Sequence, residues 1–193
     1  YPLRRQRQMC IRDRSIIIGL MAAMFIIRLA YLKLSIANEK ALRKNGAKEY
    51  GVGVSKAITV LHIIIYFSSV TEAILTKASF NFVSVIGLSL MIFSVFMLHT
   101  VTRLLGRIWT VKLMVDKNHQ FVDHWLFRVV KHPNYFLNIA PELLGVTLLC
   151  HAKYTALFVL PIYAFVIYLR IREENLLLKT IIIPNGIKKS RVS

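Results

Sequence analysis

The sequence predicts an all-α polytopic membrane protein with about five transmembrane helices. Three observations carry that prediction. Hydrophobic residues make up 56% of the 193-residue chain and the mean hydropathy is +0.56, more apolar than the roughly 45–50% of an ordinary soluble domain. The apolar residues fall in stretches near the ~20 residues that cross ~30 Å of hydrocarbon as a helix. The basic residues fall mostly between those stretches. Lys and Arg total 26 against 9 Asp and Glu, a net charge of +17. In a soluble chain that excess would point to nucleic acid. Between apolar spans it points instead to a lipid bilayer with an anionic leaflet, so no nucleic-acid partner is expected.

Residues 1–14 hold five arginines and no apolar periodicity. They resemble translated adapter sequence and read as a non-native or disordered basic tail. Three N-terminal spans are then expected over 15–101. The first, 15–36, contains Arg28, which reads as snorkelling or facing the bundle, because a charge in hydrocarbon needs a partner or a way out. A polar loop follows over 37–56, with a short surface helix ending at Gly46. The second span covers 57–75, with His62 and Glu72 in or near it. The third covers 80–101. His62 and His99 read as bundle or interface residues.

Residues 102–193 form the second half: a loop, a two-helix hairpin and a tail. In the loop, Leu104, Leu105, Ile108, Trp109 and Leu113 are spaced like an interfacial segment, with Trp109 at the headgroups. Asp116 to His119 reads as a turn. Pro133 disfavours helix at His132 and can itself begin one, so a fourth span should start at Tyr135 and run to Cys150. A fifth, 154–169, is interrupted by Pro161. Only three residues separate the two, which predicts an antiparallel hairpin. Cys10 and Cys150 are isolated, so neither a disulfide framework nor a metal site is expected.

The basic residues orient the chain. The connections after spans one and three and the C-terminal segment hold 18 of them; the connections after spans two and four hold 2. That predicts N-out, C-in topology. Both ends of the hairpin then meet on the cytoplasmic side. One end carries Lys131, His132, Pro133, Asn134 and Tyr135; the other carries Arg170, Arg172, Glu173 and Glu174. Tyr135, Asn138 and Glu142 share one face of the fourth span, either as part of a site or as interhelical hydrogen bonding that holds the bundle. Such a site suits a soluble charged cofactor entering from the cytoplasm and a lipophilic acceptor entering from the bilayer. No Gly-rich phosphate loop, His-x-x-x-His pair or Gly-x-Ser-x-Gly elbow occurs, which argues against a nucleotide hydrolase, a zinc protease and a serine hydrolase.

Lys131-His-Pro-Asn-Tyr135, followed after a hydrophobic hairpin by Arg170-Ile-Arg-Glu-Glu174, resembles the isoprenylcysteine carboxyl methyltransferase family. The resemblance covers roughly residues 100–180. It implies S-adenosyl-L-methionine bound at the cytoplasmic end of the last two spans. Lys131, His132, Pro133, Tyr135, Glu173 and Glu174 would hold it, and Arg170 or Arg172 would neutralise an acceptor carboxylate. Lys131 departs from the family's Arg, losing its bidentate fork, and Trp125-Leu126-Phe127 stands where Gly-Pro-Tyr is common. The acidic motif aligns either as Glu173-Glu174 or as Glu174-Asn175.

Residues 131–149 look closest to a bacterial branch resembling alkylpyrone or alkylresorcinol O-methyltransferases, found with type III polyketide synthases. That implies a lipophilic hydroxyl or enol acceptor rather than a lipidated protein. Such a hydroxyl needs a base, and Glu142 is the candidate. Phospholipid N-methyltransferase, an NADPH-dependent membrane reductase and a non-enzymatic membrane scaffold are the alternatives.

Overall fold

The structure, a computed structural model, describes residues 2–115, 120–121, 124–182 and 187–188. The expected turn at Asp116–His119 lies outside the described residues. Helix α1 runs Pro2–Lys44, strand β1 Lys48–Tyr50, α2 Val52–Leu75 and α3 Phe82–Leu105. A 3₁₀ turn (Gly106–Ile108) leads to β2 (Leu113–Val115), β3 (Gln120–Phe121) and a short α4 (Trp125–Val129). α5 (Ala140–Leu149) and α6 (Leu160–Leu177) close the bundle, and β4 (Ile187–Lys188) pairs with β3.

Among the described residues, four helical stretches are long and apolar enough to cross a membrane: Ile11–Lys44, Val52–Leu75, Phe82–Ile108 and Thr155–Thr180. The expected fourth span is the short one. Its six-residue π-helical segment (Asn134–Ile139) and ten-residue α5 together reach roughly 24 Å at 1.5 Å per residue. The surface helix expected before Gly46 is the end of α1 itself, which stops where Gly46 takes φ +87°. Helix α1 also extends back through residues 2–14. There the Asp13 carboxylate accepts from the Phe80 N–H at 3.3 Å, tying α1 to the α2–α3 connection. Asn81 starts α3: its Oδ1 accepts from Val83 N and Ser84 N, and the Ser84 hydroxyl accepts from Asn81 N. That reciprocal arrangement satisfies donors that a helix N-terminus leaves unpaired.

Among the described residues three segments are π-helical, Asn134–Ile139, Thr155–Val159 and Leu178–Ile182, and the first two have a cause in the sequence. Proline has no N–H and clashes with the carbonyl four residues back. Pro141 and Pro161 each follow a π segment, Asn134–Ile139 and Thr155–Val159. In each, the residue just before the proline bonds five back: Ala140 N to Tyr135 O, and Leu160 N to Thr155 O. The ladder widens by one residue ahead of each proline, which is how a helix absorbs one.

The hairpin arms find their main partners elsewhere. α5 packs along α3, and α6 packs along α2. Gly87 and Gly145 set the α3–α5 approach: a Cβ at either would lie 2.6 Å from the other's carbonyl oxygen. Small residues let membrane helices approach this closely. The outward faces are apolar, with Ile26, Phe67, Phe96, Leu157 and Phe165 exposed, while Ser69, Ser94, Asn138 and Glu142 are buried. Trp109, expected at the headgroups, is instead 4% exposed and meets Tyr31 edge-on at 6.1 Å. The chain turns extended after Ile108, so the apolar residues beyond it are not on one helix face.

Candidate functional site

The segment from Trp109 to Val115 is a strap across one end of the bundle. Its ladder pairs Lys48 with Val115, Glu49 with Met114 and Tyr50 with Leu113. α1 holds it as well. Asn38 Nδ2 donates to Trp109 O at 2.8 Å, and Val111 N donates to Ser35 Oγ at 2.8 Å. Lys112 Nζ lies 2.9 Å from Glu39 and 3.5 Å from Glu49, and Arg43 bridges the same two carboxylates. The hydrogen bond to Glu39 raises the Lys112 pKa above its ordinary value.

Beneath the strap lies a cavity of about 450 Å³, within the size range of small-molecule sites. Val101, Leu105, Ile108, Phe127 and Leu178 form its apolar wall. Among the residues expected at a site, Lys131, His132, Pro133, Tyr135, Arg170 and Glu174 line it; Arg172, Glu173 and Glu142 do not.

Pro133 begins the π segment, and the His132 carbonyl accepts from Tyr135 N and Phe136 N at 3.1 and 3.2 Å. That first turn puts His132, Pro133, Asn134 and Tyr135 at the cavity. His132 is 5% exposed. Its Nε2 is 3.2 Å from Asn175 Oδ1 and its Nδ1 is 3.4 Å from Glu174 Oε2. Of the two alignments open in the sequence, the Glu174–Asn175 pair is therefore the one that meets His132. Glu173 turns to the start of α2. A side chain at Gly51, whose φ is +60°, would collide with the Glu173 carboxylate and crowd the Arg170 guanidinium.

Arg170 is 2% exposed and already bonded. Nη1 donates to Ser55 Oγ at 2.9 Å, Nη2 to Val111 O at 3.3 Å and Nε to Tyr135 Oη at 3.4 Å. It joins α2, the strap and the π segment at the cavity wall. Arg172 is exposed, with its guanidinium 6.0 Å above the Tyr168 ring.

Glu142 is fully buried at the centre of the bundle. Arg28 of α1 grips both its oxygens, Tyr66 Oη donates to Oε1 at 2.5 Å and His62 Nε2 lies 3.5 Å away. His62 Nδ1 is in turn 3.2 Å from Tyr163 Oη. Arg28, read as a snorkelling or bundle-facing residue, faces the bundle. The strap residues, Asn175 and Lys179 also line the cavity; Asn175 had a signal in the sequence as half of the second motif alignment, whereas Trp109 and Leu113 stood out only as apolar residues of an interfacial segment.

The lining fits a polar cofactor of S-adenosylmethionine's kind. Trp109 Nε1 is buried and makes no protein hydrogen bond, and the buried His132 Nδ1 and Glu174 Oε2 make none beyond their own 3.4 Å contact, an arrangement that a ligand with ammonium, hydroxyl and acceptor groups would relieve. Among the described residues, no group of three His, Cys, Asp or Glu converges on a point that could hold a metal.

Known proteins bear on the same residues. The model of the isoprenylcysteine carboxyl methyltransferase (ICMT) family matches residues 85–180. An uncharacterized protein of Haemophilus influenzae is 46% identical over 154 residues, covering 80% of this chain and 90% of its own. The uncharacterized protein YpbQ of Bacillus subtilis is 28% identical over 160 residues, covering 81% of this chain and 92% of its own. No solved structure matches the chain.

Proposed function

The chain belongs to the isoprenylcysteine carboxyl methyltransferase family of membrane methyltransferases, and from that membership we propose that it methylates a lipophilic acceptor with S-adenosylmethionine at the basic, cytoplasmic end of the bundle. The observation that carries this reading is one cavity lined together by His132, Tyr135 and the Glu174–Asn175 pair. These residues come from the two distant motifs of the sequence.

His132, Tyr135, Glu174, Asn175 and Trp109 would hold the cofactor. When bound, it supplies an electrophilic methyl group on a sulfonium. Glu174 accepts from an ammonium or a hydroxyl, and Trp109 Nε1 donates. The strap covers one side of the cavity, where it would help to desolvate and position the transferring centre, which is where the rate of an in-line displacement is gained. Lys131 and Lys179 leave the cavity rim cationic.

The acceptor we favour is a hydroxyl or enol on an alkyl-substituted ring rather than a carboxylate; with Glu142 held by Arg28 outside the cavity, the acceptor's proton would pass to the His132–Glu174 pair in the cavity wall as the methyl group is transferred. Arg170 gives its donors to Ser55, Val111 and Tyr135, and Arg172 stands outside the cavity. A type III polyketide synthase would supply such a ring. A carboxylate acceptor would depend on Lys131. We place the protein in a bacterial cytoplasmic membrane, N-out and C-in, on the asymmetry of its basic connections.

The test is ligand binding to the detergent-purified protein, S-adenosylmethionine beside NADPH, repeated with His132→Ala and Glu174→Ala. Saturable S-adenosylmethionine binding lost in both folded variants is the expected result. Binding of NADPH in its place would move the chain to reductase chemistry, and binding of neither to a non-enzymatic role.

A further inference from the structure

Arg28 lies in the first span, outside the residues matched to the family. Its Nε donates to Glu142 Oε1 at 2.5 Å, and its Nη2 donates to Asn138 Oδ1 at 2.7 Å and Ser94 Oγ at 3.0 Å. Asn138 is 2% exposed, and its Oδ1 also accepts from Ser94 Oγ at 3.1 Å. Its Nδ2 then donates to Asn134 Oδ1 at 2.9 Å. Asn134 lines the cavity beside Tyr135. A hydrogen-bonded chain thus runs from a guanidinium within the first span to the wall of the site.

Charge gives that chain a direction. Arginine has donors only, whereas an asparagine amide has an oxygen that accepts and a nitrogen that donates. Facing Arg28, Asn138 must present its oxygen there and its nitrogen to Asn134. Asn134 must then accept through Oδ1, which leaves its own NH₂ as the group offered to the cavity. Both asparagines sit on the π segment Asn134–Ile139, a backbone geometry frequent at functional sites.

We propose that Arg28 is a positioning residue: acting through Asn138, it fixes Asn134 as a hydrogen-bond donor to the ligand of the cavity. The identity of that ligand rests on the methyltransferase reading. The cofactor's carboxylate, ring nitrogens and ribose oxygens are the acceptors such a donor would serve.

The experiment is a calorimetric titration of S-adenosylmethionine and S-adenosylhomocysteine onto the full chain in detergent, with a melting temperature for every variant. Arg28→Met combined with Glu142→Gln removes both charges, so neither is left buried alone. It is expected to raise Kd about tenfold, the loss of one hydrogen bond to a ligand. In an Asn134→Ala background the same pair should change Kd by less than about twofold. Arg28→Lys, which keeps a donor to Asn138, should bind within about threefold of the parent. Asn134→Asp keeps the acceptor and the shape but loses the donor; the same tenfold loss at an unchanged melting temperature is expected, and this variant serves if the double variant does not fold. Equal loss in both backgrounds, a lower melting temperature with unchanged Kd, or an Asn134→Asp protein that binds normally would each overturn the positioning role alone. A parent protein that binds neither ligand would overturn the methyltransferase reading and this proposal with it.

Discussion

At the scale of single residues, burial and hydrogen bonding separate groups that look alike in the sequence. Arg170 and Arg172 are two residues apart, yet one is buried with three partners and the other is exposed over Tyr168. Arg170→Ala should therefore lower the melting temperature and abolish binding, leaving Ser55 and Val111 O to find new partners at about 1–3 kcal/mol each. Arg172→Ala should change stability by less than about 0.5 kcal/mol and leave cofactor binding unchanged. A melting curve and one titration per variant check both, and an Arg172→Ala protein that cannot bind would contradict the geometry. Gly51 makes a related point. Its φ of +60° and the Glu173 carboxylate against it leave no room for a methyl group, so Gly51→Ala should destabilise the start of α2 by about 1–3 kcal/mol.

At the scale of elements, the prolines decide the helical ladder. Pro141→Ala restores a donor at residue 141 and lets Asn134–Ile139 tighten toward an α-helix. That would rotate Asn134 and Tyr135 away from their present directions. The expected outcome is a melting temperature equal to or above the parent's, with weaker S-adenosylmethionine binding; unchanged binding would show that the π turn does not set the cavity wall. The π segment Thr155–Val159 that precedes α6 begins on a cap borrowed from a neighbour. Glu72 of α2 accepts from Tyr154 N at 2.9 Å and Thr155 N at 3.1 Å. Glu72→Ala should cost about 0.5–2 kcal/mol, as loss of a helix cap does, readable in thermal or denaturant unfolding. It should leave the distant cavity's affinity unchanged.

At the scale of the whole molecule, the bundle holds a polar cluster, Arg28 with Glu142, Asn138 and Ser94, within an apolar core. Breaking the Arg28–Glu142 pair from one side only, as in Arg28→Ala, leaves a carboxylate uncompensated and should cost about 3–5 kcal/mol, more than the double replacement does. Unfolding of both proteins in one detergent measures the difference, and equal losses would mean the pair is not charged. Topology belongs to this scale too. Single cysteines in a Cys-free background at Lys48, and at Lys77 and Lys153, all exposed, should be labelled by a membrane-impermeant reagent from opposite sides. Outside labelling at Lys77 and Lys153 but not at Lys48 is expected for N-out, C-in; labelling at Lys48 would reverse the orientation.

By itself the sequence determined that this is an all-α membrane protein, roughly where it crosses, and which two motifs meet at one cavity. Hydrophobic length, proline position and charge between spans are local properties, legible one stretch at a time. The fourth span has close to its expected bounds and is short for a bilayer, because those bounds are set by Pro133 and by the turn after Leu149 rather than by membrane thickness. Only the tertiary structure decided which carboxylate meets His132, that the hairpin arms pack against α3 and α2, that Trp109 turns inward, and that Arg28 finds Glu142 across 114 positions. Those choices depend on where neighbouring helices stand, and for Gly87 against Gly145 on how closely two backbones can approach. Each is settled when several segments pack at once, so no single stretch of sequence carries it.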